Sequence, residues 1–384
     1  MSSKGLRSTD ERGEQASSGG PEDLVVPALA ALVLRQARRA LFEDRMVAGV
    51  DKSPGAPVGL EAEDRRAMAL VSRVCISRGA SDLGAEIHEL LYHCTLPLGR
   101  WLPLPTIDKR GLSETVLIGG DDGAPTAEAA ELASGFSTVT AGVEELLFAT
   151  FRDALDKQPK TDAYKYYSSI REFVVRNPLA TTEKIKSFAL DNDLPSALWM
   201  LVQQSFYEPI PLGWADRGQL ALCAHCGNAM RPVSGAHRCR TNACSAAYPA
   251  ESSESVTLEG RLRVRRGVHQ YWVEPGVDEI RLFDELHSRG AKPDLYPYMD
   301  RVDIAVGDTG MDLKSYASPE LLGDKIRRNK GGLNHYRHKW LVIPDWLVAR
   351  TPGYLDRLRH ALEEAAGSIR CLSTSEVLKA VGHA

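Results

Sequence analysis

Hydrophobic positions fall into two regimes along the chain. From residue 23 to about 206 they recur at helical spacing. From about 262 onward, short apolar runs alternate with helical stretches. In the first regime Leu24, Leu29, Leu32, Leu34, Ala37 and Leu41, set among arginines, predict a helix over 23–48. A Gly/Pro-rich break at 49–58 precedes a second helix from 61 to about 78, with Met68, Val71, Val74 and Cys75 inward. Residues 79–120 are mixed and 118–126 read as a loop. A third helical block begins near Thr126 and runs to Lys157. Helices over 164–176, 182–189 and 195–206 follow, separated by Asn177-Pro178 and by Asp191-Asn192-Asp193. Three short helices in that order suit a helix-turn-helix or winged-helix module. They also suit a plain helical linker with Tyr166, Tyr167, Phe173, Trp199 and Leu201 as its core.

In the second regime 269–273 predicts a strand, and 277–288 a helix capped by Pro275-Gly276 and stopped at Gly290. A hairpin is expected over 300–316, then a basic helix over 319–330 and a buried strand over 339–343. A helix over 352–366, a strand over 369–372 and a last helix over 374–381 complete the chain. Strands separated by helices predict a mixed central sheet with helices on its faces. The expected fold is therefore multidomain, α then α/β. It comprises a disordered tail (1–22), a helical N-terminal region (23–158), a helical, winged-helix-like module (159–212), a cysteine-rich unit (219–250) and an α/β domain (262–384).

Composition narrows this little. The chain of 384 residues is 43% hydrophobic and 26% charged, with a formal net charge of −4. A globally basic nucleic-acid coat is excluded, so any such surface must be a local patch. The apolar run 24–34 ends at arginines and is too short to span a bilayer. The first residues carry no apolar signal-peptide core, so the expected location is cytoplasmic, without membrane contact.

Four of the seven cysteines lie within 223–244. Cys223 and Cys226 form C-x2-C; Cys239 and Cys244 form C-x4-C after a spacer of 12 residues. Each pair makes a tight knuckle, and four thiolates satisfy tetrahedral Zn²⁺ with no open position. The unit reads as a structural zinc ribbon, and Gly227 allows the left-handed backbone that such knuckles use. His237 is a possible substitute ligand, although the four-cysteine set is complete without it. Arg231, His237, Arg238 and Arg240 fit contact with a phosphate backbone, and the unit equally fits a staple for a small subdomain with little core.

The most informative stretch is 299–316. It predicts two strands joined at Gly307-Asp308-Thr309-Gly310, with Asp303 on the first and Asp312 and Lys314 on one face of the second. Two carboxylates and an ammonium that converge suit a hard divalent cation and a phosphodiester: Mg²⁺ or Mn²⁺ on the acids, with the lysine beside the attacking water. A lone Asp-x-Lys occurs about once by chance in a chain this long. Asp303 strengthens it, because an acid between Val302 and Ile304 on an apolar strand needs a partner.

The order helix-Glu, strand-Asp, turn, strand-Asp-x-Lys resembles the PD-(D/E)xK restriction-endonuclease-like superfamily, over roughly residues 265–384. The runs 295–303 and 311–316 resemble the restriction-endonuclease-like proteins of prokaryotic PIWI-associated defence operons. The resemblance implies an α-β-β-β-α-β core, an endonuclease acting in defence against foreign DNA, and a PIWI-like protein and a helicase as partners. It implies Asp303 and Asp312 as metal ligands, Lys314 as the lysine of the motif, and the Leu313 carbonyl as a further donor. Glu279 is favoured over Glu285 as the helix acid. The literal Pro293-Asp294 and Asp300 compete with Asp303 for the first acidic position.

Two basic patches flank this motif. Arg261, Arg263 and Arg265 alternate along one strand, with Arg266 following. Lys325, Arg327, Arg328 and Lys330 end the basic helix, and Arg337 and Lys339 extend it. Arg263, Arg265, Lys325, Arg328 and Lys330 are the expected nucleic-acid contacts. No Gly-rich phosphate loop and no Gly-x-Ser-x-Gly elbow is present. The competing expectation is a zinc-dependent nucleic-acid-binding adaptor, with a degenerate nuclease fold, that docks a partner effector.

Overall fold

The computed structural model describes residues 21–46, 60–119, 123–134, 142–233, 235–247, 252–363 and 368–381. The expected tail up to residue 20 and the break at 49–58 lie outside them. No helix of the described residues is long and apolar enough to cross a membrane.

The C-terminal region is built on a five-stranded mixed sheet. Its strands, in spatial and chain order, are β1 (Asp294–Leu295), β2 (Ile304–Val306), β3 (Thr309–Leu313), β4 (His338–Ile343) and β5 (Arg370–Ser373). β1, β2 and β3 run antiparallel by hairpin connections; β3, β4 and β5 run parallel, joined by helical crossovers. Alternation sorts the side chains. Met311, Leu313, Val342 and Leu372 pack with Leu282, Leu286 and Val377 on one face. Leu341, Ile343 and Cys371 pack with Leu322, Ile326 and Leu358 on the other. That second core is continuous with Leu29, Leu32, Val71 and Leu90 of the N-terminal helices.

Helix α1 (Lys160–Arg176) opens the middle region. Strand Leu179–Thr181, helix Thr182–Asp191 and helix Ser196–Leu201 follow, the last continued by a wide turn over Val202–Phe206, and then strand Tyr207–Pro209. The Thr181 hydroxyl caps the first of these helices by accepting the Lys184 N–H at 3.2 Å. Arg261–Val264 pairs antiparallel with both strands and lies between them. The expected domain start at 262 thus falls inside a strand that belongs with residues 179–209. The cysteine-rich unit is inserted between the second and third strands of this sheet.

One expected element is corrected. Residues 269–273 are not a strand but a wide helical turn that runs straight into helix α2 (Glu274–Ser288). Aromatic and β-branched side chains suggested a strand, yet the buried positions His269, Trp272 and Val273 follow helical spacing. Pro275 and Gly276 therefore lie within a helix rather than capping one. Pro275 stands where the wide turn hands over to the regular helix, a place that tolerates a missing N–H. Gly276 lets α1 approach: a Cβ there would lie 2.6 Å from Val175 Cγ2. Gly276→Ala is expected to cost about 1–3 kcal/mol by overpacking, read as a lower Tm. An unchanged Tm would mean that the two helices do not pack this closely.

Candidate active site and metal centre

The hairpin brings Asp303, Asp312 and Lys314 together. Asp303 precedes β2 by one residue, and its buried carboxylate accepts the Leu313 N–H across the hairpin at 2.5 Å. Met311 and Leu313 turn into the core, which leaves Asp312 and Lys314 on the alternate positions. Lys314 Nζ lies 2.5 Å from Asp312 Oδ1, 3.0 Å from the Leu313 carbonyl oxygen and 3.8 Å from Asp303 Oδ2. The ammonium occupies the point at which three oxygen donors meet, standing in for a cation there.

Helix α2 adds Glu279, which is 1% exposed. Glu285 lies on the surface and pairs with Arg289 four residues on, so the helix acid near the cluster is Glu279. Neither of the alternative first acids matches Asp303. Asp294 is exposed on the short edge strand β1. Asp300 stands beside the cluster but on a separate turn.

Sequence reasoning did not find Arg171, on α1. Its Nη2 donates to both Glu279 oxygens, at 2.9 and 3.2 Å, and its Nη1 to Asp300 Oδ2. The guanidinium lies 4.0 Å from the Tyr296 ring centroid. A signal existed: Arg171 shares a buried face with Tyr167 and Val174, and a charge on such a face needs a partner. The turn that presents Asp300 is left-handed at Tyr296, Tyr298, Met299 and Asp300, with φ of 53°, 55°, 59° and 66°. Each such non-glycine residue costs about 1–2 kcal/mol. The turn is held by the Tyr296 N–H on the Asp303 carbonyl at 2.9 Å and by the Ser168 hydroxyl on the Tyr296 carbonyl at 2.8 Å.

Four carboxylates, Glu279, Asp300, Asp303 and Asp312, face two cations, Arg171 and Lys314, a formal excess of two negative charges. Asp300 Oδ1 is buried without a hydrogen-bond partner. Carboxylates are the donor type that a hard divalent cation takes; as placed, no three of these acids are grouped closely enough to hold one. Burial raises the Asp303 carboxyl well above the usual range; Glu279 and Asp312 reinforce the shift, and Lys314 opposes it. Burial likewise raises Glu279, against the pull of Arg171. At Lys314 burial works to lower the pKa, but the charges of Asp312 and Asp303 outweigh it and raise it. Cation binding requires the ionised acids, so it is expected to expel protons and to tighten as pH rises through their elevated range. Titration calorimetry with Mn²⁺ in buffers of different ionisation enthalpy measures this. Heat independent of the buffer would show that the acids are already ionised.

Among the described residues, the one set of three or more His, Cys, Asp or Glu side chains placed to hold a metal ion is Cys223, Cys226, Cys239 and Cys244. Their sulfurs lie within 4.8 Å of one another. Strand Gln219–Cys223 and the turn at Gly227 (φ 69°) present the first pair; Cys244 lies on the short helix Asn242–Ala247. Thr241 braces the site: its N–H points at Cys239 Sγ (3.4 Å), and its hydroxyl meets Cys226 Sγ (3.5 Å), Asn228 and His269. Four sulfurs suit Zn²⁺ and leave no open position. The unit docks on α2: Arg281 donates to the His225 carbonyl at 3.1 Å, and the Ala243 N–H to Glu274 at 3.4 Å.

Most of the expected nucleic-acid contacts are engaged within the chain. Arg263 pairs with Glu208 at 2.8 Å and lies over Trp214. Arg265 donates to the Gln204 carbonyl. Lys325 and Arg328 both reach Glu131, at 3.2 and 2.5 Å, and so hold helix Ala127–Ala133 against α3 (Pro319–Arg328). Lys330 is half-buried and donates to the Ser368 hydroxyl.

No curated protein and no solved structure matches the chain significantly. Two family models match parts of it. Residues 58–181 match the pPIWI_RE three-gene island domain Y. Residues 276–384 match the REase associating with pPIWI_RE. Together they support a nuclease-like protein of a PIWI-associated defence operon.

Proposed function

We propose that this chain hydrolyses phosphodiester bonds in nucleic acid, with DNA as the favoured substrate, in prokaryotic defence. Its partners would be a PIWI-like protein and a helicase. The observation that carries the reading is the corner of three oxygens around the Lys314 ammonium, on the strands where the PD-(D/E)xK pattern puts its acids and lysine. Asp303 and Asp312 would hold Mg²⁺ or Mn²⁺ with the Leu313 carbonyl, and Glu279 would join directly or through water. A bound divalent cation supplies charge neutralisation at the phosphate and acidifies water. Lys314, freed from that point, orients the attacking water and offsets charge developing on the phosphate. The Leu313 N–H fixes the Asp303 carboxylate, so the first acid is held before substrate arrives.

The cysteine unit, loaded with Zn²⁺, stiffens the start of α2. Helix, strand, two helices and two strands, with the last strand central, support reading residues 160–264 as a winged helix whose wing carries the ribbon. Lys330 and the exposed Arg337 lie free of ion pairs among the described residues and are the proposed phosphate contacts.

Incubating the full chain with plasmid DNA and with RNA in Mg²⁺ or Mn²⁺ tests this. Absence of divalent-dependent cleavage, alone and with operon partners, would remove the enzyme reading. One observation favours the adaptor alternative: Arg171 already engages both oxygens of Glu279.

A further inference from the structure

Arg171 reaches across the chain. It lies in the segment that matches domain Y, whereas Glu279 and Asp300 lie in the segment that matches the REase. The residue is 3% exposed, and both terminal nitrogens are spent on carboxylates of its own chain. It therefore offers no donor to a substrate phosphate as it stands. A guanidinium between Glu279 and Asp300 also repels a divalent cation from both.

Arg171 Nε and Asp300 Oδ1 are buried and make no hydrogen bond to the described residues. Helix α1 also grips the strained turn at several points. Ser168 holds the Tyr296 carbonyl, the Tyr167 hydroxyl lies 3.5 Å from Asp300 Oδ2, and the Tyr164 ring meets the exposed Tyr298 ring edge-on at 5.5 Å. Backbone strain persists only where surroundings hold it, so a shift of α1 would let the turn relax and carry Asp300 away from Glu279.

We propose that Arg171 is an autoinhibitory plug: from helix α1 it holds Glu279 and Asp300 in ion pairs that keep both from the divalent cation and weaken its binding, and release of Arg171 completes the site. The inference rests on the reading of Glu279 as an acid that faces the metal. It explains how a complete Asp303–Asp312–Lys314 corner coexists with a neutralised helix acid, and it assigns the middle region a role as the gate of the nuclease site.

The test uses the full-length, zinc-loaded chain and Mn²⁺ as probe, with affinity from titration calorimetry, cleavage from a plasmid assay and folding from circular dichroism. Arg171→Gln is expected to bind Mn²⁺ about tenfold tighter or more, to lose that gain in Arg171→Gln/Glu279→Gln, and to cleave faster than wild type. A folded Arg171→Gln with unchanged or weaker affinity overturns the plug. If Arg171→Gln does not fold, Tyr167→Phe/Ser168→Ala decides by the same criterion, because it loosens the grip without orphaning a charge. The two readings fail separately. A Glu279-dependent gain in affinity without cleavage by any variant keeps the plug and removes the nuclease. Wild type cleaving as fast as Arg171→Gln keeps the nuclease and removes the plug.

Discussion

Lys314→Ala is expected to lower divalent-dependent cleavage by about 10²–10³-fold while leaving the fold intact and Mn²⁺ affinity equal or tighter. The two effects would separate because the proposed mechanism moves the ammonium between two positions. Before the cation binds, it sits among Asp312 Oδ1, the Leu313 carbonyl and Asp303 Oδ2, and so competes for the same oxygens. Removing it frees them and leaves their negative charge to attract the cation. With a cation bound, the proposed place of the lysine is beside water and phosphate, where nothing would replace it. Calorimetry and single-turnover cleavage on the same preparation measure both. A variant that loses Mn²⁺ binding along with activity would make Lys314 a structural prop instead, and full activity would remove it from the mechanism. Asp312→Asn is expected to lose affinity and activity together, because it would alter a proposed ligand.

Removal of zinc is expected to have the second large effect. Cys239→Ser, or prolonged chelation, should destabilise the chain by more than about 4 kcal/mol, the range typical of a lost metal, and should abolish cleavage without touching any acid of the site. Four thiols crowded within 4.8 Å, two of them 3.4 Å apart, have no reason to stay together without a cation. The strands around them are short, and Arg231–Val233 and Ala236–Arg238 are largely exposed, so little core holds the unit without metal. The damage would travel, because Thr241 links the cysteines to His269 just ahead of α2, and Arg281 and Glu274 of α2 hold the cysteine unit. Calorimetric melting with and without chelator, beside metal analysis, measures this. About one zinc per chain is expected; well under one, with an unchanged Tm after chelation, would contradict the ribbon.

What the sequence made legible was local. The cysteine pairs announce themselves by spacing, and the sulfurs converge. The hairpin is marked by alternation and by Gly307, and Asp303 by its place on an apolar run. Three residues on neighbouring strands are enough to build the corner. What stayed hidden was long-range. Arg171 meets Glu279 across 108 positions, and nothing in either local pattern names the other. The strand Arg261–Val264 finds its partners at Leu179–Thr181 and Tyr207–Pro209, on the far side of the inserted cysteine unit. The arginines that alternate along it looked like a phosphate track, yet Glu208, directly across the sheet from Arg263, engages it. Residues 269–273 misled for a different reason: strand-like composition was outweighed by burial along one helical face.

The central claim, that Asp303, Asp312 and the Leu313 carbonyl form a divalent-cation site beside Lys314, is tested most directly by anomalous diffraction from Mn²⁺-soaked crystals of the chain and of Arg171→Gln. The predicted result is a manganese peak at about 2.0–2.6 Å from these oxygens, with the Lys314 ammonium displaced from the point it now fills, and with Glu279 joining the shell when Arg171 is replaced. Manganese bound elsewhere, or nowhere, in both proteins would contradict it.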